Sequence, residues 1–183
     1  MTLGEAKEKA LKLMDEYSVN GVLVNDEDIK SKMIPFFDTA QKNLCQVKKI
    51  PREYRVPVET GAAEYPMPGD YLSLRRMWVE GQPGTAGRWL GSTLLLPAGE
   101  SRDIRVEYNA WPADIPPDAP DDYAFEIAPD AQECMPYWVA SQVMLTDFVV
   151  DYQPLLNLYD RMVSMLSTAQ PGSIVIVKAG GSP

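Results

Sequence analysis

The stretch "DIRVEYNAWPADIPPDAPDDY", residues 103–123, decides the fold. Its first half alternates, with Ile104, Val106 and Tyr108 on one face and Arg105, Glu107 and Asn109 on the other. Successive side chains of a strand point to opposite faces, so the alternation predicts a strand with one buried side. The second half sets Pro112, Pro116, Pro117 and Pro120 among Asp114, Asp118, Asp121 and Asp122. Proline removes a backbone donor and the acids disfavour burial, so residues 113–123 read as an extended surface connector. At this point the chain passes from β back to α.

Upstream, residues 48–112 carry the short β-rich runs "REYRVPVE", "DYLSLRRMWVE", "RWLGSTLLLP" and "RDIRVEYNAWP", separated by Gly and Pro at the spacing of an antiparallel meander or small barrel. "GQPGTAG", residues 81–87, lies between two of these runs and reads as a hairpin loop. Before the insert, residues 3–17 place Leu3, Ala6, Ala10, Leu13, Met14 and Tyr17 at helical spacing. A second helix is expected from Asn25 or Asp26 through Ile29, Met33, Phe36 or Phe37, Ala40, Leu44 and Val47, kinked at Pro35.

Downstream, a third helix is expected from Pro129, with Met135, Val139, Val143 or Met144, and Phe148 as its apolar stripe and a second kink at Pro136. The fourth starts near Asp151, accommodates Pro154 in its first turn, and carries Leu155, Leu158 or Tyr159, Met162 and Leu166 before "QPG" stops it. The β-branched run Ile174, Val175, Ile176 and Val177 then reads as a strand-like arm. The expected fold is α+β in one domain, residues 1–183: helices one and two (1–47), a β-rich insert (48–112), the connector (113–123), helices three and four (124–169) and the arm (170–183).

Composition narrows the function. A chain of 183 residues can bury the ~70% of its unfolded surface that makes a self-sufficient core. With 26 Asp and Glu against 17 Lys and Arg the net charge is −9, which repels phosphate backbones overall. The absence of histidine removes Ser-His-Asp, Cys-His and His-ligated metal constellations. Cys45 and Cys134 lie in apolar helical patterns without CxxC spacing, and read as buried free thiols or, alternatively, a disulfide. "MTLGEAKEKALKLMDEY" mixes charge into its apolar pattern, so neither a secretion signal nor a spanning helix is expected. Acid pairs such as Asp121 and Asp122, or Glu126 and Asp130, sit on turns where capping or solvation accounts for them. No catalytic residue, metal or cofactor is expected.

Lys42, Lys48, Lys49, Arg52 and Arg55 cluster at the end of helix two, and Arg75 with Arg76 falls in the insert. Two readings stand: neutralisation of a helix C-terminus and acidic neighbours, or a docking patch of Lys48, Lys49, Arg52 and Arg55 for an acidic partner. Trp78, Trp89 and Trp111 are either packing residues or the lining of a carbohydrate- or peptide-binding groove on the insert.

Two segments carry a resemblance. "EYPMPGDYLSLRRMWVEG", residues 64–81, presents Tyr65, Pro66, Pro68, Asp70, Tyr71 and Leu72, and "FEIAPDAQECMPYWVASQVMLTD", residues 125–147, presents Pro129, Pro136 and Tyr137. These segments, in this order of elements, resemble the head-to-tail connector (adaptor, or head-completion) proteins of tailed bacteriophages over roughly residues 3–168. The resemblance implies a four-helix core and a structural subunit of a ring of about twelve copies. That ring would lie beneath the portal protein in the virion neck, assemble in the host cytoplasm, extend the DNA channel without gripping DNA, and offer a platform to a tail or stopper protein. In such a ring the arm, Ile174–Val177, would add to a sheet edge of the portal or of a neighbouring subunit; the alternative is that it completes its own insert.

Overall fold

A computed structural model describes residues 1–16, 27–58, 64–84, 87–96, 103–147 and 151–168. Helix α1 (Leu3–Glu16) starts at a capping box: the Thr2 hydroxyl accepts from the Glu5 N–H at 3.3 Å, and the Glu5 carboxylate accepts from the Thr2 N–H at 2.8 Å. Its inner face buries Leu3, Ala6, Ala10, Leu11 and Met14. Helix α2 (Glu27–Val47) continues through Pro35 as one element, and the Thr39 hydroxyl donates to the Pro35 carbonyl at 2.9 Å. Met33, Phe37, Ala40 and Leu44 are fully buried, with Phe37 and not the half-buried Phe36 at the inward position, and Gln41 and Cys45 are fully buried beside them.

The third expected helix is two. A single turn, α3 (Pro129–Gln132), ends at Glu133, and α4 (Met135–Asp147) begins afresh. Pro136 has no N–H to offer the carbonyl of Gln132 and its ring crowds that turn, so the helix breaks here instead of kinking. In the first turn of the new helix that lost donor costs nothing. Helix α5 (Gln153–Thr168) follows, with the Asp151 carboxylate accepting from the Gln153 N–H at 3.1 Å. Leu155 and Tyr159 are buried, whereas Leu158 is 36% exposed, which decides between the two alternatives for the inward position. Phe148 and the arm lie outside the described residues.

Helix α4 contacts α1, α2 and α5, and its residues from Met135 to Met144 are buried on nearly every side. Phe37, Phe125, Met33, Leu44, Met135, Met144 and Leu155 form the centre of this helical core. Phe37 meets Phe125 with ring centroids 5.8 Å apart. Four long helices with antiparallel sheets make the chain a mixed α+β protein.

The insert folds as two sheets. Strands β1 (Ile50–Val56), β2 (Glu64–Pro66), β3 (Tyr71–Val79), β4 (Gln82–Pro83), β5 (Arg88–Leu90), β6 (Thr93–Leu95) and β7 (Ile104–Ala110) pair antiparallel in the orders β1-β7-β3-β4 and β2-β6-β5. It is not a sequential meander, because β7 enters between β1 and β3. Both sheets share a second core of Val56, Tyr65, Met67, Met77, Leu94, Ile104, Val106 and Tyr108. The alternation of β7 is realised in Ile104, Val106 and Tyr108; Asn109, on the opposite face, is also covered, donating to the Ser73 hydroxyl at 2.7 Å.

Two loops differ from expectation. "RWLGSTLLLP" is a hairpin of β5 and β6, turning at Gly91-Ser92 with Gly91 at φ 58°, where a type II′ turn requires glycine. The turn at the start of "GQPGTAG" is Glu80-Gly81, with φ 53° and 74°, and Gln82-Pro83 already pairs back as β4.

The connector is also more than a surface link. Ile115 and Ala119, 6% and 7% exposed, join the helical core. The Leu3 and Gly4 amides donate to the Tyr123 and Asp121 carbonyls at 2.9 Å each. The acids stay outside while the small apolar residues between them pin the segment across α1 and α2.

Candidate functional site

A set of paired polar residues converges where the helices meet the insert. Tyr71 closes a turn on the Pro68 carbonyl at 2.9 Å, and that turn presents Asp70 between the strands. The Asp70 carboxylate accepts from the Tyr108 hydroxyl at 3.0 Å and pairs with Arg52, while its carbonyl accepts from the Trp111 N–H at 2.7 Å. One residue thereby ties together β1, β7 and the start of the connector.

Arg52 spans two carboxylates, reaching Glu126 through its second guanidinium nitrogen at 2.7 Å. The Glu126 N–H donates to the buried Gln41 side-chain carbonyl at 3.0 Å, and the Gln41 amide donates to the Ala113 carbonyl at 3.2 Å. Beside this, Lys42 pairs with Asp38 at 2.7 Å and Asp114 at 2.6 Å, and Asp38 also accepts from the Ile115 N–H at 2.9 Å. Lys48 reaches Asp130 at 2.7 Å, and the Cys45 thiol donates to the Ala110 carbonyl at 3.2 Å. The set forms a strut from α2 through the connector to the insert. A cleft of about 700 Å³ opens along it, lined by Asp38, Lys42, Asn43, Asp70, Trp111 and Asp114 among others.

The electrostatics follow from burial and pairing. Burial, then the hydrogen bond to Asp70, pushes the Tyr108 phenol up to about 12. Hydrogen bonds to Asp114 and Asp38 raise Lys42, and the Lys48 ammonium holds Asp130 below the ordinary carboxylate value. Burial raises Cys45, and raises Cys134 to about 11. Such thiols carry little thiolate at neutral pH. Both cysteines are free and buried. Among the described residues no group of three or more Cys, Asp or Glu could hold a metal ion, and no helix is long and apolar enough to cross a membrane.

The expected basic patch divides. Lys48 and Arg52 are engaged within the chain by Asp130, Asp70 and Glu126, whereas Lys49 and Arg55 are exposed with no carboxylate partner among the described residues. The acid pairs separate too: Asp121 pairs with Lys7, Glu126 with Arg52 and Asp130 with Lys48. Of the motif positions, Tyr65 lies in the insert core, Pro66 is exposed, and Tyr71 stacks between Trp89 at 6.0 Å and Tyr108 at 5.7 Å. Leu72 and Tyr137 pack on the helical core, Pro129 opens α3 and Pro136 is the second residue of α4. The three tryptophans have three different surroundings: Trp89 on the insert core, Trp111 on the helical core, and Trp78 on the outer face beneath Arg105.

Sequence reasoning missed Gln41 and Asp38, and read Tyr108 only as an inward residue of its strand, not as a partner of Asp70. A signal existed for Gln41, a polar residue inside the apolar stripe of Phe37, Ala40 and Leu44. The chain matches no protein-family model and no curated protein sequence.

Proposed function

We propose that the chain is the structural subunit of a head-to-tail connector ring in a tailed-phage virion, docked beneath the portal protein. The observation that carries this reading is that Asp70, a position of the resembling segment, anchors the strut that couples the β-insert to the helices. A ring subunit that passes load between portal and tail needs such a coupling, because an insert on a loose stem would transmit neither position nor force. The order of helix, helix, β-insert, helix, helix supports the same reading, as does α4 packed against α1, α2 and α5. In this role the four helices form the ring body of about twelve copies, closed head to tail.

The acidic balance supports passage of DNA without binding, since a −9 subunit repels phosphate. The role is architectural, with no cofactor and no turnover. Exposed Lys49 and Arg55 remain for docking, and the Ile174–Val177 arm adds to a sheet edge of the portal or of the next subunit. The experiment is light scattering and negative-stain imaging of the chain with and without portal rings from the same source. Docked rings are expected for the full chain, and truncation after Pro171 is expected to keep the cooperative melt and lose docking. Absence of binding at micromolar subunit overturns the proposal.

A further inference from the structure

The outer face of the four-stranded sheet has a composition unlike the rest of this acidic chain. Register places Arg55, Arg105 and Trp78 side by side across β1, β7 and β3, and the next row sets Glu53, Glu107 and Arg76 together. Arg105 lies over the Trp78 ring at 4.4 Å and Arg76 at 5.5 Å. Arg75 takes Glu107 at 3.1 Å, and Arg105 touches Glu53 only at 3.7 Å. Like charges directly opposite on paired strands destabilise a sheet, yet Arg55 faces Arg105 and has no carboxylate of its own among the described residues. The face thus presents guanidinium groups around an aromatic plate with their charge incompletely matched from within.

The same chain carries the complementary surface. Asp118 and Asp122 are exposed on the connector without a cation partner among the described residues. The segment that holds them is preorganised: Ala119 and Tyr123 donate to the Pro116 and Pro120 carbonyls at 3.0 Å each, and Ile115 and Ala119 are sunk in the helical core. Guanidinium groups match carboxylates in geometry as well as in charge. A nucleic acid would meet the same arginines, but it would also meet the net charge of −9.

We infer that the Arg55–Arg105–Trp78 face of the insert docks on the Asp118–Asp122 ridge of a second copy of this chain. Different surfaces meet, so the contact is heterologous and repeats from subunit to subunit, as a ring requires. The inference deepens the connector reading and rests on it for the closed ring.

Sedimentation velocity of the full chain at low and raised salt tests it. Wild-type association is expected, weakening as salt screens the contact. Arg55→Glu, at an exposed position, is expected to lower the association constant about tenfold or more without lowering the melting temperature, since it turns the like-charge Arg55–Arg105 pair into an opposite-charge one, and Asp118→Arg with Asp122→Arg to weaken association by as much. Mixing the two charge-reversed proteins restores both complementary faces and is expected to restore association. A wild-type chain that stays monomeric at low salt overturns the inference, as does association indifferent to either reversal or a mixture that remains apart. So does Arg55-dependent quenching of tryptophan fluorescence by a single-stranded oligonucleotide, which assigns the face to nucleic acid. Portal binding is scored separately: docking with reversal-insensitive association sinks only this contact, and swap-restored association without docking sinks only the connector reading.

Discussion

Replacing Asp70 tests whether the strut carries the energy its geometry implies. In Asp70→Ala the nearly buried Tyr108 hydroxyl loses a charged acceptor 3.0 Å away. A hydrogen bond to a charged group contributes about 1.5–3 kcal/mol, and a buried hydroxyl left without a partner makes the upper part of that range the relevant one. The Arg52 pair adds little: its side chains are 39% and 25% exposed and Arg52 keeps Glu126, so about 0.5 kcal/mol is a fair allowance. The expected destabilisation is about 2–4 kcal/mol, or roughly 5–15 °C in melting temperature for a chain of this size. Asp70→Asn retains an acceptor for Tyr108 and should cost about 1 kcal/mol. Tyr108→Phe in the Asp70→Ala background removes the stranded hydroxyl and should recover part of the loss. Urea denaturation of the four proteins at neutral pH reads these differences. Equal losses for Ala and Asn, or less than about 0.5 kcal/mol for Ala, would show that the strut is not organised around the Asp70–Tyr108 bond.

Other outcomes follow from single observations. A Cβ on Gly87, at φ 67°, would lie 1.9 Å from the Leu95 carbonyl oxygen, whereas one on Gly91, at φ 58°, meets open space. Gly91→Ala should therefore cost about 1–2 kcal/mol of left-handed strain in a denaturant melt, and Gly87→Ala clearly more, because backbone must move. Tyr108 and Tyr159 both titrate near 12 in the folded chain, Tyr159 chiefly through burial. The unfolded phenols ionise near 10, so below that pH the contribution is complete, and each residue loses stability on the order of 2–3 kcal/mol as pH rises from 10 to 12. Alkaline denaturation followed by tyrosinate absorbance should show this, with Tyr159→Phe shallowing the decline. Cys45 and Cys134, 0% and 1% exposed, should stay unreactive towards a thiol reagent until the chain unfolds; rapid native-state labelling would contradict their packing.

Local physics made much of the plan legible. Apolar residues at helical spacing located α1, α2 and α5, since a stripe such as Met33, Phe37, Ala40 and Leu44 has only one way to be buried. Period-two alternation located β7 and its inward face for the same reason. The cysteines' apolar neighbourhoods pointed to buried thiols. These readings depend on a few adjacent residues, so they survive without knowledge of the fold.

Tertiary structure decided the rest, because the deciding partners are distant in the chain. Nothing near Asp70 announces Arg52 or Tyr108, which arrive on other strands, and Glu126 completes the arrangement from beyond the connector. Prolines and acids in residues 113–123 spoke for a surface segment, yet Ile115 and Ala119 sink into a core supplied by the helices. Pro136 declared an interruption, and only the structure shows it as a fresh helix start and not a kink. Spacing and polarity are properties of a segment and can be read from it, whereas the identity of an ion-pair partner depends on which segments the fold makes neighbours.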